Sequence, residues 1–381
     1  MGKRKTAGNI SGNTFGNTSE KSSIKGPPKK RVYLEIMRFA AVFFVIFNHT
    51  GDQGFLLFTK TPPASPLYWI SLFLSVFCKF SVPLYFMISG ALLLPREPDP
   101  LPVLFGKRIK RQVVVLLVIS LIYELIRVHQ DPGIVFSVKE YLKRTYSSGT
   151  GFHLWFIYFY IAFLISLPFL QGIASGLKVH YYNYMVLICL VFNTVTITDY
   201  LLFKGNLTCN SGFRPSWLLA NIVLFPCIGY YLEHHIKITG RAVAGVWALN
   251  LLLLALTCAV TYYKQSLEGV VSSSQSQTFH NCYVLINAVS VYMLIKYLTG
   301  IRPPGKRLSH IFITLGRCSF GIYLLHLMFI RHPRCIQAMD SLAAGGLPSL
   351  VVSLLFCALT MLICFVITFL LRMVPVVRDY L

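Results

Sequence analysis

Apolar runs long enough to span a bilayer recur along this chain, at about 32–51, 67–94, 112–128, 152–170, 181–198, 216–232, 242–263, 281–299, 311–331 and 347–371. A membrane-crossing helix needs about 20 mostly apolar residues, and inside lipid each backbone amide must be satisfied within its own segment or a closed barrel. A soluble globule cannot accommodate such a series. The composition agrees, with 55% of residues hydrophobic and 13% charged and a mean hydropathy of +0.63. The expected fold class is an all-α polytopic membrane protein with about ten transmembrane helices.

The formal charge is +22, from 35 Lys and Arg against 13 Asp and Glu. Such a balance could mark a nucleic-acid binder, but the bases fall in short clusters between apolar spans, as the positive-inside rule requires. Nucleic acid is therefore excluded as a partner, and the bilayer takes its place. Lys107, Arg108, Lys110 and Arg111, then Lys178, Lys237 and Arg241, Arg302 with Lys306 and Arg307, and finally Arg372 and Arg378 all fall on one side. Both termini are then cytoplasmic. Lys139, Lys143 and Arg144 stand on the other side with Asp131 and Glu140, so the rule holds as a bias.

Residues 1–31 have no apolar core and carry eight Lys or Arg among Gly, Asn, Ser and Thr. They read as a disordered basic cytoplasmic tail near anionic lipid, not a signal peptide. The expected organisation is this tail, a ten-helix membrane domain at 32–372 and a short cytoplasmic tail at 373–381. The ten cysteines form no C-x-x-C pair and read as small buried hydrophobes with no metal site; Cys209 and Cys335 lie in connecting loops. Asn206-Leu207-Thr208 is a glycosylation sequon. No internal repeat of the transporter kind is visible.

The first span carries three ionisable side chains, Glu35, Arg38 and His49. Eleven helical positions at about 100° return to within roughly 20° of the start, so these residues share a stripe. Arg38 and His49 are then roughly 16 Å apart along the axis, about half of a bilayer core. Charge in hydrocarbon is costly, so the stripe should face a protein interior or wet cavity. The alternative is a Glu35–Arg38 pair anchored at the headgroups, with His49 surfacing on the far side.

Counted from the cytoplasmic end, His49 lies roughly 27 Å deep, Lys79 roughly 22 Å and His326 roughly 24 Å, at about 1.5 Å per residue. His153, which opens the fourth span, belongs near that level. Each histidine alone suits a structural hydrogen bond, and Lys79 alone suits snorkelling to the surface. Pro83 removes a backbone donor from the second span and should kink or break it. Broken helices are tolerated where they line a cavity. A second group lies at the inner face, where Arg38 and the i, i+3 pair Arg108 and Arg111 offer forks suited to phosphate. Lys107 and Lys110 read as ordinary positive-inside residues.

At these positions the chain resembles the acyltransferase-3 family, membrane acyl-CoA-dependent O-acyltransferases that modify glycans. The family's acidic residue, Arg and, ten intervening residues later, His are matched by Glu35, Arg38 and His49. Its Val-Pro-Leu-Phe-Phe-Met-Ile-Ser-Gly pattern resembles Val82 to Gly90, and its Arg-x-x-Arg resembles Arg108 to Arg111. Its His-Leu-Trp-Phe is similar to residues 153–156 and its Gly-Ile-Tyr-Leu-Leu-His to Gly321 through His326. Two departures stand out: Lys79 replaces an Arg common before the Val-Pro motif, and the basic tail has no counterpart. The match looks closest to small single-domain members.

The resemblance implies an acyl-CoA co-substrate, usually acetyl-CoA, bound from the cytoplasm, and an acyl group delivered to a hydroxyl of an extracytoplasmic glycan or glycolipid. It implies that Arg38, Arg108 and Arg111 hold the CoA phosphates and that Glu35 holds Arg38. His49 would then be general base or transient acyl carrier, with Lys79, His153 and His326 stabilising the oxyanion or positioning the acceptor. Trp155 and Tyr323 would meet a sugar face or the aromatic belt. The expected location is a bacterial plasma membrane, crossed many times, and a homo-oligomer is compatible with this reading. A polytopic carrier or flippase exporting a glycan or anion, with the histidines and Lys79 as a proton relay, would also explain the buried charge.

Overall fold

The structure is a computed structural model that describes residues 31–131, 133–147, 151, 153–204, 214–268, 276–346 and 348–381. The basic tail at 1–30, the sequon and Cys209 lie outside the described residues. From Val32 to Leu381 the chain is a single unit, and its described regular elements are helices.

Eight helical segments are long and apolar enough to cross a membrane. They are Pro66–Leu93, Leu101–Gln130, Trp155–Gly176, Val179–Phe203, Gly240–Leu267, Val284–Ile301, Lys306–Ile330 and Ser349–Leu371. We label the helices α1 (Val32–Phe47), α2 (Pro66–Phe77), α3 (Ser81–Leu93), α4 (Lys110–Gln130), α5 (Val138–Ser147), α6 (Trp155–Gly176) and α7 (Val179–Phe203). The series continues with α8 (Asn221–His234), α9 (Gly240–Glu268), α10 (Val284–Ile301), α11 (Lys306–Ile330), α12 (Pro333–Ala344), α13 (Ser349–Leu371) and the single turn α14 (Pro375–Arg378).

Two of the ten expected spans are shorter than expected. α1 has 16 residues and α8 has 14, about 24 and 21 Å against a hydrocarbon core of about 30 Å. Both are enclosed by other helices, α1 by α3, α10, α11 and α13 and α8 by α3, α6 and α7. Neighbouring protein, rather than length, therefore satisfies their ends. α1 stops where Asn48 N–H bonds Phe44 O at 3.0 Å and His49 N–H bonds Ile46 O at 2.9 Å. The chain then folds back into the bundle, burying Phe55, Leu57 and Phe58.

The second span breaks as Pro83 suggested: α2 passes into a tight turn at Cys78–Phe80 before α3 begins. α3 and α8 touch backbone to backbone. A Cβ on Gly90 would collide with the Pro226 carbonyl, and one on Gly229 with the Met87 carbonyl. Only glycine permits that approach, and it fixes the wall from which α3 presents Tyr85 and Phe86.

Polar ties hold the bundle ends. Glu233 accepts from Tyr292 Oη at 2.8 Å, Lys296 Nζ at 2.9 Å and Tyr33 Oη at 2.5 Å, joining α1, α8 and α10. Glu124, 3% exposed, pairs with Arg127 at 2.5 Å and with Arg144 at 3.6 Å, joining α4 to α5. The segment at 373–381 is not a detached tail. Arg111 Nε donates to Tyr380 O at 3.4 Å, and Tyr380 and Leu381 pack against the core.

Candidate active site

The turn after α1, the turn before α6 and the C-terminal part of α11 bring three imidazoles together. The His49 and His326 ring centroids are 5.2 Å apart, His153 and His326 5.2 Å, and His49 and His153 6.4 Å. His326 is wholly buried and His153 is 1% exposed. On α11, Tyr323 and His326 are one turn apart and share a face. His326 Nδ1 lies 2.6 Å from Tyr323 O, while Tyr323 Oη donates to the carbonyl of His153. Nε2 of His326 is buried with no hydrogen-bond partner among the described residues. Tyr123 packs its ring 5.0 Å from His153 and donates to Leu324 O at 3.0 Å.

Two cavities approach this cluster. The first, about 610 Å³, is lined by Arg38, Arg111, Arg317, Arg372 and Arg378, with Asp379 as its one described carboxylate lining residue, and reaches Tyr323. The Tyr323 ring is 5.8 Å from His153 and 5.9 Å from His326. Arg38 is held at the wall by Glu35, whose two oxygens accept from one Nη1 at 2.8 and 2.9 Å. Glu35 packs so closely on Gly316 that a Cβ there would collide with its carboxylate. Tyr85 Oη donates to the Arg38 carbonyl at 3.1 Å.

The second cavity, about 440 Å³, contains Asn48, next in sequence to His49, together with Lys79, Trp155 and three further asparagines. Lys79 Nζ donates to Gln277 Oε1 at 3.2 Å and lies 4.6 Å from the Phe55 ring centroid. It is within electrostatic reach of His49 and of His280. Trp155 opens α6 and is 40% exposed. The two cavities share no lining residue. A pair of rings separates them, Phe156 on the first and Phe86 on the second, with centroids 5.2 Å apart.

Of the residues singled out by sequence, the structure gathers His49, His153, His326 and Tyr323, puts Lys79 and Trp155 on one cavity, and puts Arg38 and Arg111 on the other. Arg108 is set apart. It pairs with Asp99 and lines a neighbouring cavity of about 560 Å³, where Arg111, Gln112, Tyr160 and Asp379 form the shared wall. Arg317, Arg372 and Arg378 were missed as cavity residues, the last two because the positive-inside rule already accounted for them. Tyr123 and Tyr85 were missed because a tyrosine in an apolar span carries no distinctive spacing. His280, 1% exposed with Nδ1 3.4 Å from Ser75 Oγ, was also missed. Among the described residues no group of three or more His, Cys, Asp or Glu is arranged to hold a metal ion.

These features define a helical membrane protein whose imidazole cluster lies between a basic cavity and an amide-rich one. Residues 31–369, nearly the whole chain, match the family model described as an acyltransferase domain. The chain belongs to the acyltransferase-3 family and is a membrane acyltransferase. No curated protein and no solved structure matches it.

Proposed function

We propose that the chain moves an acyl group, most simply acetyl, from cytoplasmic acyl-CoA to a hydroxyl of a glycan or glycolipid across the membrane. The observation that carries this reading is the imidazole cluster between two separate cavities of unlike chemistry. The arginine cavity suits the CoA phosphates, because guanidinium forks bind phosphate oxygens through charge-assisted pairs. Arg38 and Arg111 take that role, helped by Arg317, Arg372 and Arg378, while Arg108 acts from the adjoining cavity. Glu35 positions Arg38.

The thioester then approaches Tyr323 and the histidines. His49 takes the proton from the acceptor hydroxyl, the oxygen attacks the acyl carbon, and the tetrahedral oxyanion is stabilised by Lys79 or His153, while His326 helps to position the acceptor. Collapse breaks the carbon–sulfur bond, and the CoA thiolate recovers the proton from His49. In the covalent variant His49 carries the acyl group between the cavities. Trp155 receives the acceptor sugar. This assignment makes the arginine cavity cytoplasmic, with both termini on that side of a bacterial plasma membrane.

The amide-cavity lining and family membership favour this over a carrier. Mass spectrometry of glycan and lipid extracts from cells with and without the protein tests it. An acyl-modified glycan found only when the protein is present supports the reading, and identical extracts with no acetyl-CoA consumed by the membranes contradict it.

A further inference from the structure

Resting on the acyl-transfer reading above, which assigns the amide-rich cavity to the acceptor, the lining of that cavity narrows the chemical class of the acceptor. Its charged lining residues are Lys79 and Arg214, and no Asp or Glu is among its described lining residues. Neither cation makes an ion pair with a described carboxylate; the hydrogen-bond acceptor for Lys79 is the neutral amide of Gln277. An ammonium withdrawn from water without a counter-charge is costly, and the cost is offset when an anion arrives beside it. The same wall carries Asn48, Asn221 and Asn281. Each amide offers two donors and an acceptor, which suits vicinal hydroxyls. Trp155 adds an aromatic face that can cover the apolar side of a sugar ring. CoA phosphates do not account for these cations, because the arginine cavity is a separate site lined by five arginines.

We propose that the acceptor is an anionic glycan, a hydroxylated sugar bearing a carboxylate or phosphate that Lys79 and Arg214 hold while an adjacent hydroxyl faces His49. The cations select the acceptor by charge, and the asparagines set its register.

The test is binding of sugars to the purified protein in nanodiscs by isothermal titration calorimetry, without any acyl donor, so it reads the cavity independently of transfer. The probes are methyl β-D-glucuronide against methyl β-D-glucoside, and glucose 6-phosphate against glucose. The charged member of at least one pair should bind about tenfold or more tightly, the size expected from one charge-assisted contact. The pair that shows the preference identifies carboxylate or phosphate. Lys79→Gln and Arg214→Gln should each remove most of the preference and Lys79→Arg should keep it, while Arg317→Gln in the other cavity should leave it intact. Equal affinity within both pairs, including no binding by any probe, overturns the proposal. So does a preference that survives Lys79→Gln and Arg214→Gln but disappears with Arg317→Gln. Charge-dependent binding at Lys79 in a protein that never consumes acetyl-CoA would uphold this inference while removing the transfer reading. Transfer to neutral sugars only would do the reverse.

Discussion

His326 Nδ1 lies 2.6 Å from the carbonyl oxygen of Tyr323, and this contact sets the tautomer of the ring. A carbonyl can only accept, so Nδ1 carries the proton, and the lone pair of neutral His326 is on Nε2, the buried atom with no partner among the described residues. His326 is thus presented as a base or acceptor toward the other two imidazoles. Asn in its place can keep a donor near the Tyr323 carbonyl but cannot supply Nε2. His326→Asn should accumulate in the membrane at the parental level yet lower kcat by about 10²-fold, the lower range for a lost proton-transfer group. Parental kcat in that variant would leave His326 a structural residue.

Gly316 and Glu35 make a sharper test of how the arginine cavity is held. Gly316→Ala adds a methyl where the Glu35 carboxylate sits, so the carboxylate must swing and its 2.8 and 2.9 Å bonds to Arg38 must break. Overpacking of this kind costs about 1–3 kcal/mol. The expected outcome is a lower thermal midpoint together with a several-fold higher KM for acetyl-CoA. A lower midpoint with an unchanged KM would mean that Arg38 does not touch the donor.

Arg111 and Arg108 should differ, although three residues apart. Arg111 lines the five-arginine cavity, whereas Arg108 is already paired with Asp99 and lines the adjoining one. A charge-assisted contact contributes about 1.5–3 kcal/mol, roughly ten- to a hundredfold in affinity. Arg111→Gln should weaken CoA binding in that range, with saturating donor restoring much of the rate, because a contact made equally in ground and transition states appears in KM. Arg108→Gln should have a smaller effect. The reverse order, read by calorimetry, would move the phosphate site to the adjoining cavity.

Much of the helical framework was legible from apolar run length alone, because eight of the ten runs are helices long enough to cross a bilayer. The same rule also gave spans at α1 and α8, which are helices of 16 and 14 residues and fall short of that length. A helix enclosed by other helices has no lipid boundary to reach, so it can stop short of a full crossing, and α1 ends at Phe47, before the polar stretch Asn48–Gly54. α5 and α12 went unread as helices. They are amphipathic and short, burying little beyond Tyr141 and Thr145 in one and Met339 in the other, which resembles loop composition in a chain scanned for long apolar segments. Helical depth counting placed His49, His153 and His326 at one level, and the structure brings their rings together. Depth says nothing about which side of a helix faces which neighbour, so the pairing of Arg108 with Asp99 and the docking of Tyr380 on Arg111 were not readable.

Sidedness can be checked with two cysteines on exposed positions, Lys139→Cys in the first turn of α5 and Gly305→Cys before α11. The background needs attention at Cys335 in α12 and at Cys209, because the other cysteines of the described residues are buried. Burial pushes the Cys335 thiol above its usual range, which slows but does not prevent labelling, so both should be Ser. An impermeant maleimide should label the first position on intact cells and the second only after the membrane is opened. The opposite pattern would invert the chain and put the arginine cavity outside.

The central claim is that the imidazole cluster transfers an acyl group from CoA, and His49→Ala tests it most directly. His49 lies in the turn after α1 rather than in the helix, so removing the ring should leave the bundle assembled and the arginine cavity intact. The measurement pairs CoA affinity by calorimetry with the rate of labelled acetyl-CoA consumption in the same nanodisc preparation. The account predicts CoA affinity within about twofold of the parent and a rate lower by about 10²–10⁴-fold. Parental turnover in His49→Ala, or a parent protein that neither binds CoA nor consumes acetyl-CoA, would contradict it.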